Sequence, residues 1–139
     1  MSAAFAQTGA SLAPLLALDG RSSYAVEGRL SMFREPAATL SIDDILKGAG
    51  AGQFQPVSTA AIALGQIKDA VWFHARMRNV TQEKLKINWT INYIFLERIN
   101  IYRVQDGRVI DEMLLGKVVP YSARRVVMDP YIYPLELMP

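Results

Sequence analysis

Ala70-Val71-Trp72-Phe73-His74-Ala75-Arg76-Met77-Arg78 is the stretch whose reading decides the fold. Val71, Phe73, Ala75 and Met77 fall on one face. Trp72, His74, Arg76 and Arg78 fall on the other. A period of two is that of a strand. Asn79-Val80-Thr81-Gln82 then turns the chain. Residues 85–93 alternate again, with Leu85, Ile87, Trp89, Ile91 and Tyr93 opposite Lys86, Asn88, Thr90 and Asn92. Residues 98–104 place Ile99 and Ile101 opposite Arg98, Asn100 and Tyr102. Asp106-Gly107 is a hairpin turn, and Arg108 to Leu115 runs back. Tyr131 to Leu137 closes with another extended run, in which Pro134 argues for an edge or a bulge. Short alternating strands with frequent turns predict an all-β fold, an antiparallel β-sandwich.

Upstream, one helix is expected near residues 41–47. Ser41 is its N-cap, and Ile42-Asp43-Asp44-Ile45-Leu46 follow. The two carboxylates lie in the first turn, where the helix dipole favours negative charge. Gly48, Gly50 and Gly52 end the helix in a flexible loop. That loop lacks the Lys and the flanking strand of a phosphate-binding loop, so no nucleotide cofactor is expected. Tyr24 to Phe33 reads as extended. Residues 7–22 have no clean period, with Ala13-Pro14 and Asp19-Gly20 as breaks, and are expected to be a loop or frayed arm; residues 1–22 together are read as a signal-peptide remnant and flexible arm. The sandwich is therefore placed at residues 23–139.

Composition excludes several classes of function. A chain of 139 residues suits one domain. With 51% hydrophobic and 20% charged residues it is globular, not disordered. Fifteen basic against 13 acidic residues leave a formal charge of only +2, with no dense basic stripe, so no nucleic-acid partner is expected. There is no cysteine, which excludes thiol catalysis, zinc ribbons and disulfides. The single histidine, His74, argues against histidine-rich metal sites, and no Asp-rich calcium loop occurs. No metal is expected. No run of about 18 apolar residues occurs either.

Ala4-Phe5-Ala6 has the small-x-small pattern of a signal-peptidase site, with cleavage expected before Gln7. The charged and long apolar parts of a signal peptide are not among these residues. An ordinary Ala-rich tail is the competing reading.

The order of motifs resembles the type 2 extracellular sensor domain of bacterial seven-transmembrane receptors with diverse intracellular signalling modules. The resemblance runs through Thr39-Leu40-Ser41-Ile42-Asp43-Asp44-Ile45-Leu46 and Phe54-Gln55-Pro56. It continues with Leu64-Gly65, Asp69 to Phe73, Arg76-Met77-Arg78-Asn79 and Ile99-Asn100-Ile101-Tyr102. Gly116, Pro120-Tyr121-Ser122, Arg124 and Tyr131 to Leu137 complete it. It covers roughly Leu30 to Leu137, and order and spacing carry it more than any one piece. It implies a jelly roll similar to carbohydrate-binding modules, located in the periplasm. The implied full-length protein is anchored by helices on the C-terminal side and ends in a histidine-kinase or diguanylate-cyclase output. It also favours the signal-site reading of Ala4-Phe5-Ala6. The chain departs from the family at Lys117, where Asp is frequent, and at Met128 and Asp129, where His and Arg are usual.

The face carrying Trp72, His74, Arg76 and Arg78 suits a polar ring ligand. An indole stacks on a sugar's C–H face, and guanidinium forks bond hydroxyls or a carboxylate. Asn100 and Tyr102 join that face if their strand belongs to the same sheet. Trp72, Arg76, Tyr102 and Arg124 are the expected contacts, with His74 and Asn100 beside them. The competing reading packs Trp72 under a loop as a second small core, with the Arg residues as a solvated face. Catalysis would need His74 within reach of Asp69, Asp111 or Glu112, and no spacing requires that. Asp43 and Asp44 diverge on a helix, and Asp111 and Glu112 point to opposite faces of a strand, so no paired-carboxylate enzyme is expected.

The expected function is thus a non-enzymatic ligand-sensing domain taking a carbohydrate or a carboxylated small molecule. The alternative is a homodimerisation or protein-interaction module, with Tyr131 and Tyr133 as its surface.

Overall fold

A computed structural model describes residues 2–4 (as backbone), 13–26, 28–57, 68–92, 96–124 and 131–139. Nine strands and one helix are defined among them. They are β1 (Ser2–Ala4), β2 (Leu15–Leu18), β3 (Leu30–Glu35), α1 (Ile42–Leu46), β4 (Gln55–Pro56) and β5 (Ala70–Asn79). Then come β6 (Leu85–Ile91), β7 (Ile99–Gln105), β8 (Arg108–Leu115) and β9 (Tyr131–Leu137). Among the described residues no helix is long and apolar enough to cross a membrane.

The strands pack as an all-β sandwich. The large sheet has the order β4-β3-β5-β1-β7-β8, with β2 also paired to β5, and β6 pairs β9 in the small sheet. Ile99 and Ile101 of β7, Met113 and Leu115 of β8, and Tyr131, Tyr133 and Leu135 of β9 form the core between them. Ile87, Trp89 and Ile91 of β6 and Met77 of β5 pack against it. These are the alternate residues of each strand, and burying each large apolar side chain stabilises by roughly 1.5–3 kcal/mol. Asp106 and Gly107 both have positive φ, 51° and 74°, and the hairpin between β7 and β8 closes there as its sequence predicts. Pro134 lies opposite Asn88 in the two-stranded sheet, where among the described residues each strand pairs on one side.

The turn after β5 is built by one side chain. Asn79 Oδ1 accepts from the Thr81 amide at 2.9 Å and the Thr81 hydroxyl at 2.7 Å. Its Nδ2 donates to the carbonyls of Glu83 at 2.7 Å and Leu137 at 3.0 Å, which ties the turn to the end of β9.

Four expectations change. The sandwich is mixed, because β1 and β2 run parallel to β5 and β1 runs parallel to β7. Residues expected in a frayed arm enter the fold: Leu18 is wholly buried and Ala13 is 1% exposed. Tyr24 to Val26, expected as extended, form no strand, and ahead of β3 a turn is closed from the Arg29 amide to the Val26 carbonyl at 2.9 Å. Finally, Tyr131 and Tyr133 point inward at 2% and 1% exposure, so they are core and form no partner surface. The Tyr133 hydroxyl donates to Asp111 Oδ2 at 2.7 Å. Phe5-Ala6-Gln7, Leu64-Gly65, Tyr93, Phe95, Met128 and Asp129 lie outside the described residues.

Candidate functional site

The outer face of the large sheet is assembled from three strands. Register fixes which residues share it. In the antiparallel pair of β3 and β5, Ser31 is opposite His74, Phe33 opposite Trp72 and Glu35 opposite Ala70. β7 joins the same sheet through β1, since Ser2 pairs with both Trp72 and Asn100, and Ala4 pairs with Tyr102. The Trp72 and Tyr102 rings stack with centroids 6.4 Å apart and planes 22° from parallel. Trp72, His74, Arg76, Asn100 and Tyr102 are thereby brought to one face.

Half of that face is covered. α1 starts at Ser41, whose hydroxyl accepts from the Asp44 amide, while Asp44 accepts from the Ser41 amide at 2.8 Å. This is the reciprocal capping box, with Asp in the third helical position. The capped helix turns Ile42 and Ile45 onto the sheet. They pack with Leu40, Phe33, Phe54 and Trp72 as a second small core, with Tyr102 at its border. Gly50 has φ 70° and lies so close to the Phe33 ring that a Cβ would clash with it. Trp72 is 2% and His74 5% exposed, whereas Arg76, Asn100 and Tyr102 are half-buried.

Glu35 holds the cover to the sheet. It is 5% exposed. One oxygen accepts from the Thr39 and Leu40 amides, the other from the Trp72 indole N–H at 2.9 Å. Burial pushes its pKa up, but the hydrogen bonds from Trp72, Leu40 and Thr39 outweigh that and leave it below the ordinary value. Sequence reasoning missed this residue. Its only local signal is a Glu-Pro step at a strand end, six residues before the N-cap, and nothing there points to Trp72.

His74 is a floor residue. Phe54 packs on it with ring centroids 6.1 Å apart and planes at 72°. Burial, with a smaller contribution from the Arg76 charge, lowers its pKa to about 4, so it is neutral at pH 7. The carboxylates considered as its partners are engaged elsewhere: Asp69 pairs with Arg34, Asp111 accepts from Tyr133, and Glu112 lies opposite Tyr102. Among the described residues no cluster of His, Asp or Glu could hold a metal ion.

The accessible rim is made of Arg76, Asn100, Tyr102 and, on β8, Glu112 and Leu114, which lie opposite Tyr102 and Asn100. Burial, then the Glu112 charge, raises the Tyr102 pKa, with Arg98 opposing, so its hydroxyl stays a donor at neutral pH. The rim offers a guanidinium, an amide, a phenol and a carboxylate around an aromatic edge. Arg78 is exposed. The Arg124 guanidinium lies over the Tyr121 and Tyr131 rings at 5.0 and 4.7 Å. Since Tyr131 belongs to the inter-sheet core, Arg124 is tied to the closing strand.

In comparisons with known proteins, the family model described as 7TMR-DISM extracellular 2 matches residues 27–139. No curated protein matches the chain.

Proposed function

The chain belongs to the 7TMR-DISM extracellular 2 family, an extracellular sensing domain of membrane receptors, and on that premise we propose that it senses a carbohydrate or carboxylated sugar on the outer face of its large sheet. The observation that carries this reading is the stacked pair Trp72 and Tyr102, with Arg76 and Asn100 beside it on one face. Tyr102 supplies the edge on which a sugar ring rests. Arg76 and Asn100 bond its hydroxyls or carboxylate. Trp72 and His74 form the floor beneath. The domain binds without catalysis, and signalling follows from different affinity for two receptor states.

A thermal-shift screen against neutral and acidic glycans tests this. A ligand at 100 times its dissociation constant adds about 2.7 kcal/mol of stability, which is readily measured. A shift that disappears in Arg76→Ala and Tyr102→Ala supports the site. No shift with any glycan refutes it.

A second reading rests on β8. Among the described residues it ends the large sheet, and its Ile110 and Leu114 are 49% and 39% exposed. An open edge with exposed apolar side chains favours pairing with a second copy. Concentration-dependent association that is lost in Leu114→Asp would support it.

A further inference from the structure

Beyond His74 the outer face of β5 is basic. β2 runs beside it in parallel register, with Leu15 opposite Arg76 and Ala17 opposite Arg78. Leu18 is wholly buried, while Leu15 and Ala17 stay exposed. Arg76 is half-buried and Arg78 is exposed. Two residues apart on one strand face, they stand about 7 Å from each other at the backbone. A third guanidinium joins them. Arg29 Nη1 donates to the Leu15 carbonyl at 2.9 Å, and Leu15 is the residue opposite Arg76.

Among the described residues no carboxylate offsets this charge. Arg21 pairs with Asp19, Arg34 with Asp69, and Lys84 and Lys86 with Glu136, but no acid pairs with Arg29, Arg76 or Arg78. His74, next on that face of β5, is neutral at pH 7. Opposite His74 lies Ser31, which is 3% exposed. Its buried hydroxyl has no hydrogen-bond partner among the described residues. Buried donors are ordinarily paired, so this one is a donor short of an acceptor. Three uncompensated guanidiniums with a spare hydroxyl beside them call for a ligand with several oxygens and more than one negative charge.

We propose that Arg29, Arg76 and Arg78 form an anion site for a doubly charged phosphate group, such as that of a phosphate monoester. Guanidinium forks bind phosphate oxygens through paired N–H···O bonds. A carboxylate offsets one charge. A phosphate monoester carries close to two at pH 7 and presents three acceptor oxygens. The Ser31 hydroxyl is a further donor, and the exposed Leu15 and Ala17 leave room above β2 for the rest of the ester. The site adjoins the sugar rim and shares Arg76 with it, but it needs no sugar ring.

The test is thermal unfolding of this chain at fixed ionic strength, with sodium chloride exchanged for inorganic phosphate. Glucose 6-phosphate, glucose and phosphatidic acid vesicles are the further probes. Phosphate should raise the melting temperature in a saturable way. Arg29→Gln and Arg78→Gln should each weaken its apparent affinity about tenfold, the value of one lost charge-assisted hydrogen bond. Arg78→Lys, which keeps the charge and loses the fork, should retain only part of the affinity. Glucose 6-phosphate binding more tightly than phosphate identifies a soluble ester as the source. Tighter binding to the vesicles identifies a lipid headgroup, and binding of phosphate alone identifies the free anion. A wild-type response to phosphate no larger than to chloride would overturn the proposal, since it would be screening only. So would a phosphate response that survives in the double variant Arg29→Gln with Arg78→Gln. A shift from neutral glycans with none from phosphate overturns this proposal and leaves the sugar reading standing. A phosphate shift with none from any glycan supports it and removes the sugar reading.

Discussion

Glu35 and Trp72, 37 positions apart, are joined by a hydrogen bond of 2.9 Å from the indole N–H to a carboxylate oxygen. The other oxygen of the same carboxylate accepts from the Thr39 and Leu40 amides just ahead of α1. One buried acid thus fixes both the indole of the central strand and the chain that covers it.

Removing that acid should loosen the cover. Glu35→Ala leaves the indole and two amides without their acceptor, at a cost of about 3 kcal/mol. Trp72→Phe, which removes one donor and some apolar area, should cost less, about 1–2 kcal/mol. Urea unfolding gives both values. A loss below about 0.5 kcal/mol for Glu35→Ala would mean that the carboxylate does not organise this corner.

Stability should fall in acid through two groups. His74 has its folded pKa lowered from 6.5 to about 4, by burial first and by Arg76 second. Its contribution is complete above pH 6.5, declines as pH falls toward 4 and is flat below, because the unfolded chain takes up the proton first. Glu35 is also lowered, from 4.5, so its contribution is present above that pH and is lost below it. His74→Gln should flatten the change between pH 6.5 and 4 and leave the drop below it. An unchanged slope in chemical denaturation across that window would contradict a buried neutral histidine.

Gly116 has φ 105°, and a Cβ there would run into the backbone carbonyl of Glu97. Gly116→Ala should therefore destabilise by about 3 kcal/mol, combining left-handed strain with the clash. Gly107→Ala, at φ 74° with open space around it, should cost only about 1 kcal/mol. Thermal melts of the two variants should keep that order.

For ligand binding, the position of Arg124 makes a contrast. Tyr102→Ala and Arg76→Ala should abolish a glycan-induced thermal shift, while Arg124→Ala should retain it and lower the melting temperature of the free domain. The reverse pattern would move the site to the Tyr121 and Tyr131 end.

Much of the architecture is legible in short stretches of sequence. The alternation read over residues 85–93, 98–104 and 108–115, the Asp106-Gly107 turn and the Ser41 cap all act between near neighbours, and strands form there at Leu85–Ile91, Ile99–Gln105 and Arg108–Leu115. The placement of Asn100 and Tyr102 beside Trp72 was legible only as a condition, because alternation states which residues share a strand face and not which strands share a sheet.

The sequence by itself determined strands β5 to β9, the turns between β5 and β6 and between β7 and β8, the capped helix and the family, since these follow from local spacing and from motif order. Only the tertiary structure decided what those elements face. β5 alternates as if one face were wet, yet Trp72 and His74 are as buried as Val71 and Ala75, because α1 and Phe54 cover the polar side. Tyr131 and Tyr133 look like an edge surface and are core, because the small sheet turns them onto Ile99, Ile101 and Met113. Glu35 finds Trp72 and β1 fills the gap beside β5 through contacts between distant positions. Burial on a second face and partners of that kind arise from packing, which no local pattern records.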